Sequence, residues 1–166
     1  MNRMVRVIRH LCMTTWQVRR AIPSKSLDAI EVAVQKAELG HSGQIRVVIE
    51  GALPAEPLWR NLSSRERATD VFSLMRVWDT DCNNGVLLYL LLADHSVEII
   101  ADRGIAQCVP QEEWRAVCQQ MGAMFRNGQF EQGIIVGIQV IAAKLIEHFP
   151  GEGTGANELS DKPTIL

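Results

Sequence analysis

Two short polar stretches hold the residues best able to do chemistry. Asp79-Thr80-Asp81-Cys82-Asn83-Asn84-Gly85 leads into the most apolar run of the chain, and Asp102-Arg103-Gly104 follows the next apolar segment. Carboxylates and amide oxygens are hard ligands of the kind that Ca²⁺ and Mg²⁺ take. Asp79, Asp81, Asn83, Asn84 and Asp102 therefore form the candidate metal set. Asp and Asn are also turn formers, because their side chains bond nearby backbone amides. Both readings of the loop stay open at this level. His41 beside Ser42 has no acid next to it to orient an imidazole, and no catalytic residue can be assigned.

Sharper motifs are excluded one by one. An EF-hand loop starting at Asp79 requires glycine at its sixth position and glutamate at its twelfth, where this chain has Asn84 and Leu90. The Asp79–Asp81 pair precedes a strand, whereas the aspartates of an aspartyl-phosphate phosphatase follow one. None of Cys12, Cys82, Cys108 and Cys118 has an arginine at the spacing of a cysteine-dependent phosphatase, and none forms a CxxC pair or a zinc-type cluster with histidine. Phosphate-binding glycine loops and the GxSxG elbow are also missing.

These residues are positioned by an alternation of helical and strand patterns. Residues 4–18 place Val5, Ile8, Cys12 and Trp16 near one helical face with arginines beside it, which predicts one amphipathic helix able to pack on the domain or to lie on a membrane. Leu27, Ile30, Val34 and Ala37 recur at helical spacing before Gly40, and Gln44–Glu50 alternates as a strand with Ile45, Val47 and Ile49 on one face. A long connection with Pro54 and Pro57 follows, with Trp59 expected to pin it to the body. Ser63 and Glu66 then form a capping box ahead of a helix that buries Ala68, Val71, Phe72 and Met75. Val86–Ala93 is apolar without alternation, as a strand covered on both faces requires. Val97–Ala101 returns beside it as a hairpin. Pro110, Glu112 and Glu113 open a further helix, and residues 130–148 form the last. The tryptophans and methionines fall at core spacing, while His10, His95 and His148 read as surface residues.

The order predicts an α/β fold, a three-layer αβα sandwich with a small mixed β-sheet flanked by helices. A right-handed crossover makes strands 44–50 and 86–93 parallel, with 97–101 antiparallel beside them. That topology gathers Asp79, Asp81, Asn83, Asn84, Asp102, Arg103, His41 and Ser42 at one edge, and Glu50, Asp94 and His95 at the other.

With 166 residues, 47% of them apolar and a formal net charge of −2, one soluble domain is expected. No stretch reaches the roughly 20 apolar residues of a membrane span, and arginines interrupt any signal-like N-terminal run. A cytoplasmic chain with free, mainly buried thiols is the expectation. No acidic residue precedes Asp28, whereas Arg3, Arg6, Arg9, Arg19, Arg20 and Lys25 all do. Arg3, Arg6 and Arg9 are thus candidate contacts to an anionic membrane surface. The basic residues are not interleaved with aromatics in a nucleic-acid pattern, so nucleic acid is not an expected partner. After Pro150 the sequence lacks periodicity and a disordered tail is predicted.

Residues 24–149 resemble the TPM domain, found in thylakoid-lumen phosphatase-like photosystem repair proteins and in bacterial proteins. The likeness rests on His41-Ser42-Gly43-Gln44-Ile45-Arg46-Val47-Val48, on Asn83-Asn84-Gly85-Val86-Leu87-Leu88, on Val97 to Ile105 and on Phe130-Glu131-Gln132-Gly133. It is nearest to short bacterial members without a signal peptide or membrane tail. It implies a TPM-like domain over 23–150, which leaves the basic amphipathic segment over 1–22 before it and the predicted disordered tail over 151–166 after it. It also implies a divalent-cation site near the acidic loop in some members. Acid phosphatase activity is attributed to the family, and many members look like accessory proteins of membrane complexes. This chain departs at two positions: Asn83 stands where relatives commonly have aspartate, and Gln44 where they often have glutamate. The resulting expectation is a non-enzymatic interaction module with a protein partner. The alternative is a metal-dependent phosphatase using Asp81, Asn84 and Asp102 around Ca²⁺ or Mg²⁺.

Overall fold

The computed structural model describes residues 3–151 and 158–166. In chain order the elements are α1 (Arg3–Cys12), α2 (Thr15–Ala21), α3 (Ser24–Glu38), β1 (Gln44–Glu50), α4 (Ala55–Trp59), α5 (Ser64–Leu74), β2 (Gly85–Leu91), β3 (Ser96–Ala101), α6 (Arg103–Cys108), α7 (Gln111–Arg126), α8 (Phe130–His148) and β4 (Thr164–Ile165). The sheet order is β3-β2-β1-β4, with β1 parallel to β2 and β4, and β2 antiparallel to β3. Helices cover both faces, which is the αβα sandwich the sequence predicts.

Burial explains that layering. Every residue of β2 is buried, so neither face of the strand can be left to water. Val86, Leu88 and Leu90 join Ile45, Val47 and Ile49 in a core closed by α3, α7 and α8, through residues such as Ile30, Trp114, Ile138 and Leu145. Leu87, Tyr89 and Leu91 face the other way with Val48, against Leu58, Ala68, Val71 and Val77. The strand β1 is thus buried on both sides and not on one.

Local chemistry sets the helix boundaries. Ser63 accepts from the Glu66 amide while Glu66 reaches back to the Ser63 amide, the capping box expected there. A second box at Thr14 and Gln17 starts α2. It divides the single helix predicted over 4–18, because Thr14 takes the extended backbone that an N-cap needs. In the connection after β1 it is Leu58 that is buried, and Trp59 is exposed. Of the four tryptophans only Trp114 is in the core; Trp16, Trp59 and Trp78 are exposed. Cys12, Cys82 and Cys108 are exposed free thiols and Cys118 is half-buried, so the thiols are mostly not core.

The predicted disordered tail needs correction over its second part; residues 152–157 lie outside the described residues. Glu158 to Leu166 is bound along β1. The Glu158 and Leu159 amides both donate to Gln44 Oε1 at 3.0 Å. Arg46 donates to the carbonyls of Ser160 and Lys162 and to Thr164 Oγ1. Val48 and Ile49 pair with Thr164 and Ile165, and the Leu166 amide donates to Ile49 O at 2.9 Å. A two-residue strand carries no periodicity, so the composition of the tail concealed it.

The two acidic groups expected at the far end of the sheet are enclosed. Glu50 Oε2 accepts from Tyr89 Oη at 2.6 Å and from Arg67 Nε at 2.9 Å, while Oε1 accepts from Arg67 Nη2 at 2.8 Å. Burial, then the Glu50 carboxylate, pushes the Tyr89 hydroxyl up. Asp94 accepts from Arg6 and meets His10 Nε2 at 3.0 Å. Burial raises this carboxyl, but the Arg6 and His10 bonds outweigh it and hold it below its ordinary range. His10 is therefore a buried residue, while His95 is an exposed turn residue with φ 50°.

Two outcomes follow for stability. Arg67→Ala leaves the Glu50 carboxylate buried without its cation and should lower the unfolding free energy in urea by about 3–5 kcal/mol. Glu38 is pushed up from 4.5 to about 7, first by burial and further by Asp161 in the tail, against a lowering bond from the Ile45 amide. Its carboxyl holds a proton in the folded chain over a range where the unfolded chain has lost it. Its stabilising contribution is full below pH 4.5 and is lost as pH rises through about 7. Thermal unfolding midpoints across that window should fall with pH, and Glu38→Gln should flatten the slope.

Candidate functional site

The parallel register aligns Gln44 with Gly85, and the antiparallel partner brings the end of β3 to the same place, where the Asp102 amide donates to Gly85 O at 2.9 Å. Three strand ends and the loop before β2 therefore share one edge, as the sequence predicts. The loop is held from inside. The Asn84 amide donates to Thr80 Oγ1 at 3.2 Å, and the Asn83 amide to Thr80 O at 3.1 Å. Thr80 is buried, and Asn83 takes a left-handed φ of 52° that asparagine tolerates better than most residues.

Of the five candidate ligands, Asn83, Asn84 and Asp102 come together. The Gly104 amide donates to Asn83 O at 2.8 Å, and Arg103 Nη2 donates to Asn83 Oδ1 at 3.3 Å. Asn84 is buried and its Nδ2 donates to Ser42 Oγ at 3.4 Å. Asp102 is buried and caps α6, a short helix the sequence reading missed, with Oδ1 accepting from the Arg103 amide at 2.7 Å. Its Oδ2 is buried without a donor among the described residues. Asp79 and Asp81 are exposed on the rim of the loop, and the Asp81 amide donates to Glu158 Oε2 at 3.1 Å.

His41 lies at this edge, buried, with Nδ1 3.1 Å from Gly43 O and Nε2 without a partner among the described residues. Burial pushes its imidazole below the usual range, against the Gly43 bond. Ser42 Oγ accepts from Asn84 while His41 Nδ1 meets Gly43 O, so among the described residues the two side chains are not joined as a nucleophile–base pair.

The edge can supply hard oxygen donors. Asp102 brings one unsatisfied buried carboxylate oxygen and Asn84 a carboxamide, a donor type that suits Ca²⁺ or Mg²⁺. Among the described residues no group of three or more His, Cys, Asp or Glu is arranged to hold a metal ion. The edge residues that sequence reasoning missed are Arg46 and Glu38, which with Gln44 hold the tail, a role not foreseen for Gln44 either. Arg46 was the available signal, since a cation in a strand that is otherwise buried needs acceptors. A groove of about 480 Å³ between α3 and α8, lined by Ala33, Ala37, Gln139 and Ile146 among others, includes none of the edge residues.

The meeting of loop and strand end depends on close backbone approach. A Cβ on Gly104 would lie 2.6 Å from Asn83 O, whereas one on Gly122 in α7 meets only Arg126 Nη1 at 3.8 Å. Gly104→Ala should cost about 1–3 kcal/mol and shift the amide resonances of Asn83 and Asn84. Gly122→Ala should stabilise by about 0.5–1 kcal/mol and leave those resonances in place.

The comparisons with known proteins agree with this arrangement. A family profile described as the TPM domain matches residues 20–144. No curated protein matches the chain. Among solved structures, the NMR structure of the BA42 protein from the psychrophilic bacterium Bizionia argentinensis is similar at 28% identity and TM-score 0.76, covering 87% of this chain and 95% of that one. The solution NMR structure of the N-terminal domain of a P. gingivalis protein, 18% identical with TM-score 0.60 over 76% of this chain and 79% of that one, shares the fold.

Proposed function

The chain belongs to the TPM-domain family, and from that premise we propose that it is a non-enzymatic accessory module. In this reading it works in the cytoplasm with a protein partner, at the face of a membrane complex. One observation carries the reading. At the two positions where relatives commonly bring a carboxylate to the edge, this chain has amides committed to internal bonds. Gln44 Oε1 holds the Glu158 and Leu159 amides, and Asn83 Oδ1 holds Arg103. Groups so engaged serve to fix the loop and the tail, and they leave little to activate a nucleophile.

The buried, donor-free Oδ2 of Asp102 favours a second element, a divalent cation at this edge. Asp102 and Asn84 would hold it, with Asn83, Asp79 and Asp81 at hand in the loop. When bound, such an ion neutralises the Asp102 carboxylate and can polarise a phosphoryl oxygen. In the module reading its role is to order residues 79–85. In the alternative reading, a phosphatase acting on phosphomonoesters, the same ion serves catalysis.

Titration with Ca²⁺ and Mg²⁺, following amide shifts, separates these readings. Saturable shifts at 79–85 and 102–104 that vanish in Asp102→Asn, with no hydrolysis of a generic phosphomonoester, are the expected outcome. Hydrolysis that is lost in Asp102→Asn and Asp81→Ala would establish the phosphatase. Absence of shifts at millimolar ion would remove the cation from both readings.

A further inference from the structure

The amphipathicity of α1 is inverted relative to the domain it packs on. Its polar residues Arg6 and His10 are buried, and its apolar residues are not. Met4 is 71% exposed, Val5 44%, Ile8 53% and Leu11 74%. At about 100° per residue these four lie on one side of the helix and Arg6 and His10 on the other.

That orientation is fixed. Arg6 bonds Asp94 through Nε and Nη2, Asn61 Oδ1 through Nη1 and Leu62 O through Nη2. The Leu53 amide donates to His10 Nδ1 at 2.9 Å, which leaves Nε2 to carry the proton toward Asp94. Rotating α1 to bury its apolar stripe would strand Asp94 and Arg6 without their partners. The arginine trio read from the sequence is therefore not one outward face. Arg6 is an internal anchor, while Arg3 and Arg9 are exposed and flank the stripe.

We propose that this outward face of α1 docks on an anionic lipid bilayer, with the helix lying in the plane of the headgroups. The proposal deepens the membrane-face part of the reading above, and rests on that reading. The surroundings fit a bilayer. Residues 3–27 hold six cations and no acid. Trp16 is 65% exposed with the Arg20 guanidinium 5.3 Å from its ring centroid, an aromatic and a cation of the kinds enriched at a membrane interface. The ten residues of α1 extend only about 15 Å, half of a bilayer core, and no described helix is long and apolar enough to cross one. A second copy of the chain is a poor occupant, because its own cationic segment would face this one.

The test is sedimentation of the full chain with vesicles of phosphatidylglycerol and phosphatidylcholine, against vesicles of phosphatidylcholine alone. The wild type should pellet with the anionic vesicles only, and less as salt rises. The double substitution Ile8→Glu and Leu11→Glu should lower the partition coefficient by at least about tenfold, since two apolar side chains are withdrawn from the lipid and two charges of the lipid's own sign are added. Both residues are more than half exposed, so the thermal midpoint should stay within a few degrees. Arg19→Ala with Arg20→Ala should weaken binding to a smaller degree. Wild type that stays in the supernatant, or a double variant that pellets as well as wild type, overturns the proposal. A wild-type dimer in gel filtration that the double variant converts to monomer also overturns it, assigning the face to a second copy. Phosphomonoester turnover, by contrast, would end the non-catalytic reading while leaving the vesicle result to stand.

Discussion

The pairing of β1 with β2, parallel and covered on both faces, is the constraint from which the other features follow. A parallel pair needs a crossover, and an all-apolar β2 needs cover above and below. The chain between the strands supplies the crossover and one cover, with α4 and α5 on that face, while α3 from before β1 and α7 and α8 from after β3 close the other. The same register decides where polar groups collect. Aligning Gln44 with Gly85 and Glu50 with Leu91 sends the loop before β2 and the exit of β3 to one end, and the acidic residues Glu50 and Asp94 to the other.

The two ends handle charge differently. At the end with Glu50 and Asp94, each carboxylate is matched by an arginine and by a second donor, Tyr89 or His10. Such fully partnered groups fix geometry and are poor candidates for exchange with a ligand. At the end with Asn84 and Asp102, amides and backbone groups do most of the bonding, and one Asp102 oxygen lacks a donor among the described residues. The contrast locates the candidate site better than the density of acidic residues does, because the exposed Asp79 and Asp81 stand outside the buried part of the edge.

Much of this was readable from residues alone. The unbroken apolar run at Val86 and the Ser63–Glu66 box each took the form the pattern implies, and the alternation at Gln44–Glu50 marked a strand though not its burial on both faces. The convergence of Asn83 with Asp102 and Gly104 was also accessible, since strand order determines which ends adjoin. What remained hidden depends on partners far away in the chain. The helical period of α1 defines a stripe but not which side faces inward; that is decided by Asp94, 88 residues beyond Arg6. Leu58 and Trp59 are adjacent apolar residues, and only the path of α4 chooses between them. The tail escaped notice because its hold on β1 comes from Gln44 and Arg46 side chains and two backbone pairs, none of which leaves a repeating pattern.

That tail has a consequence for how the sheet meets other molecules. Without it, β1 would be an open seven-residue edge, a template on which a strand of another chain could continue the sheet. Thr164 and Ile165 occupy its C-terminal part, against Val48 and Ile49, and Arg46 places a charge beside them, so the open side is only as long as two residues and is guarded by a cation. Protection from edge-to-edge aggregation thus rests on a segment with hardly any regular structure of its own.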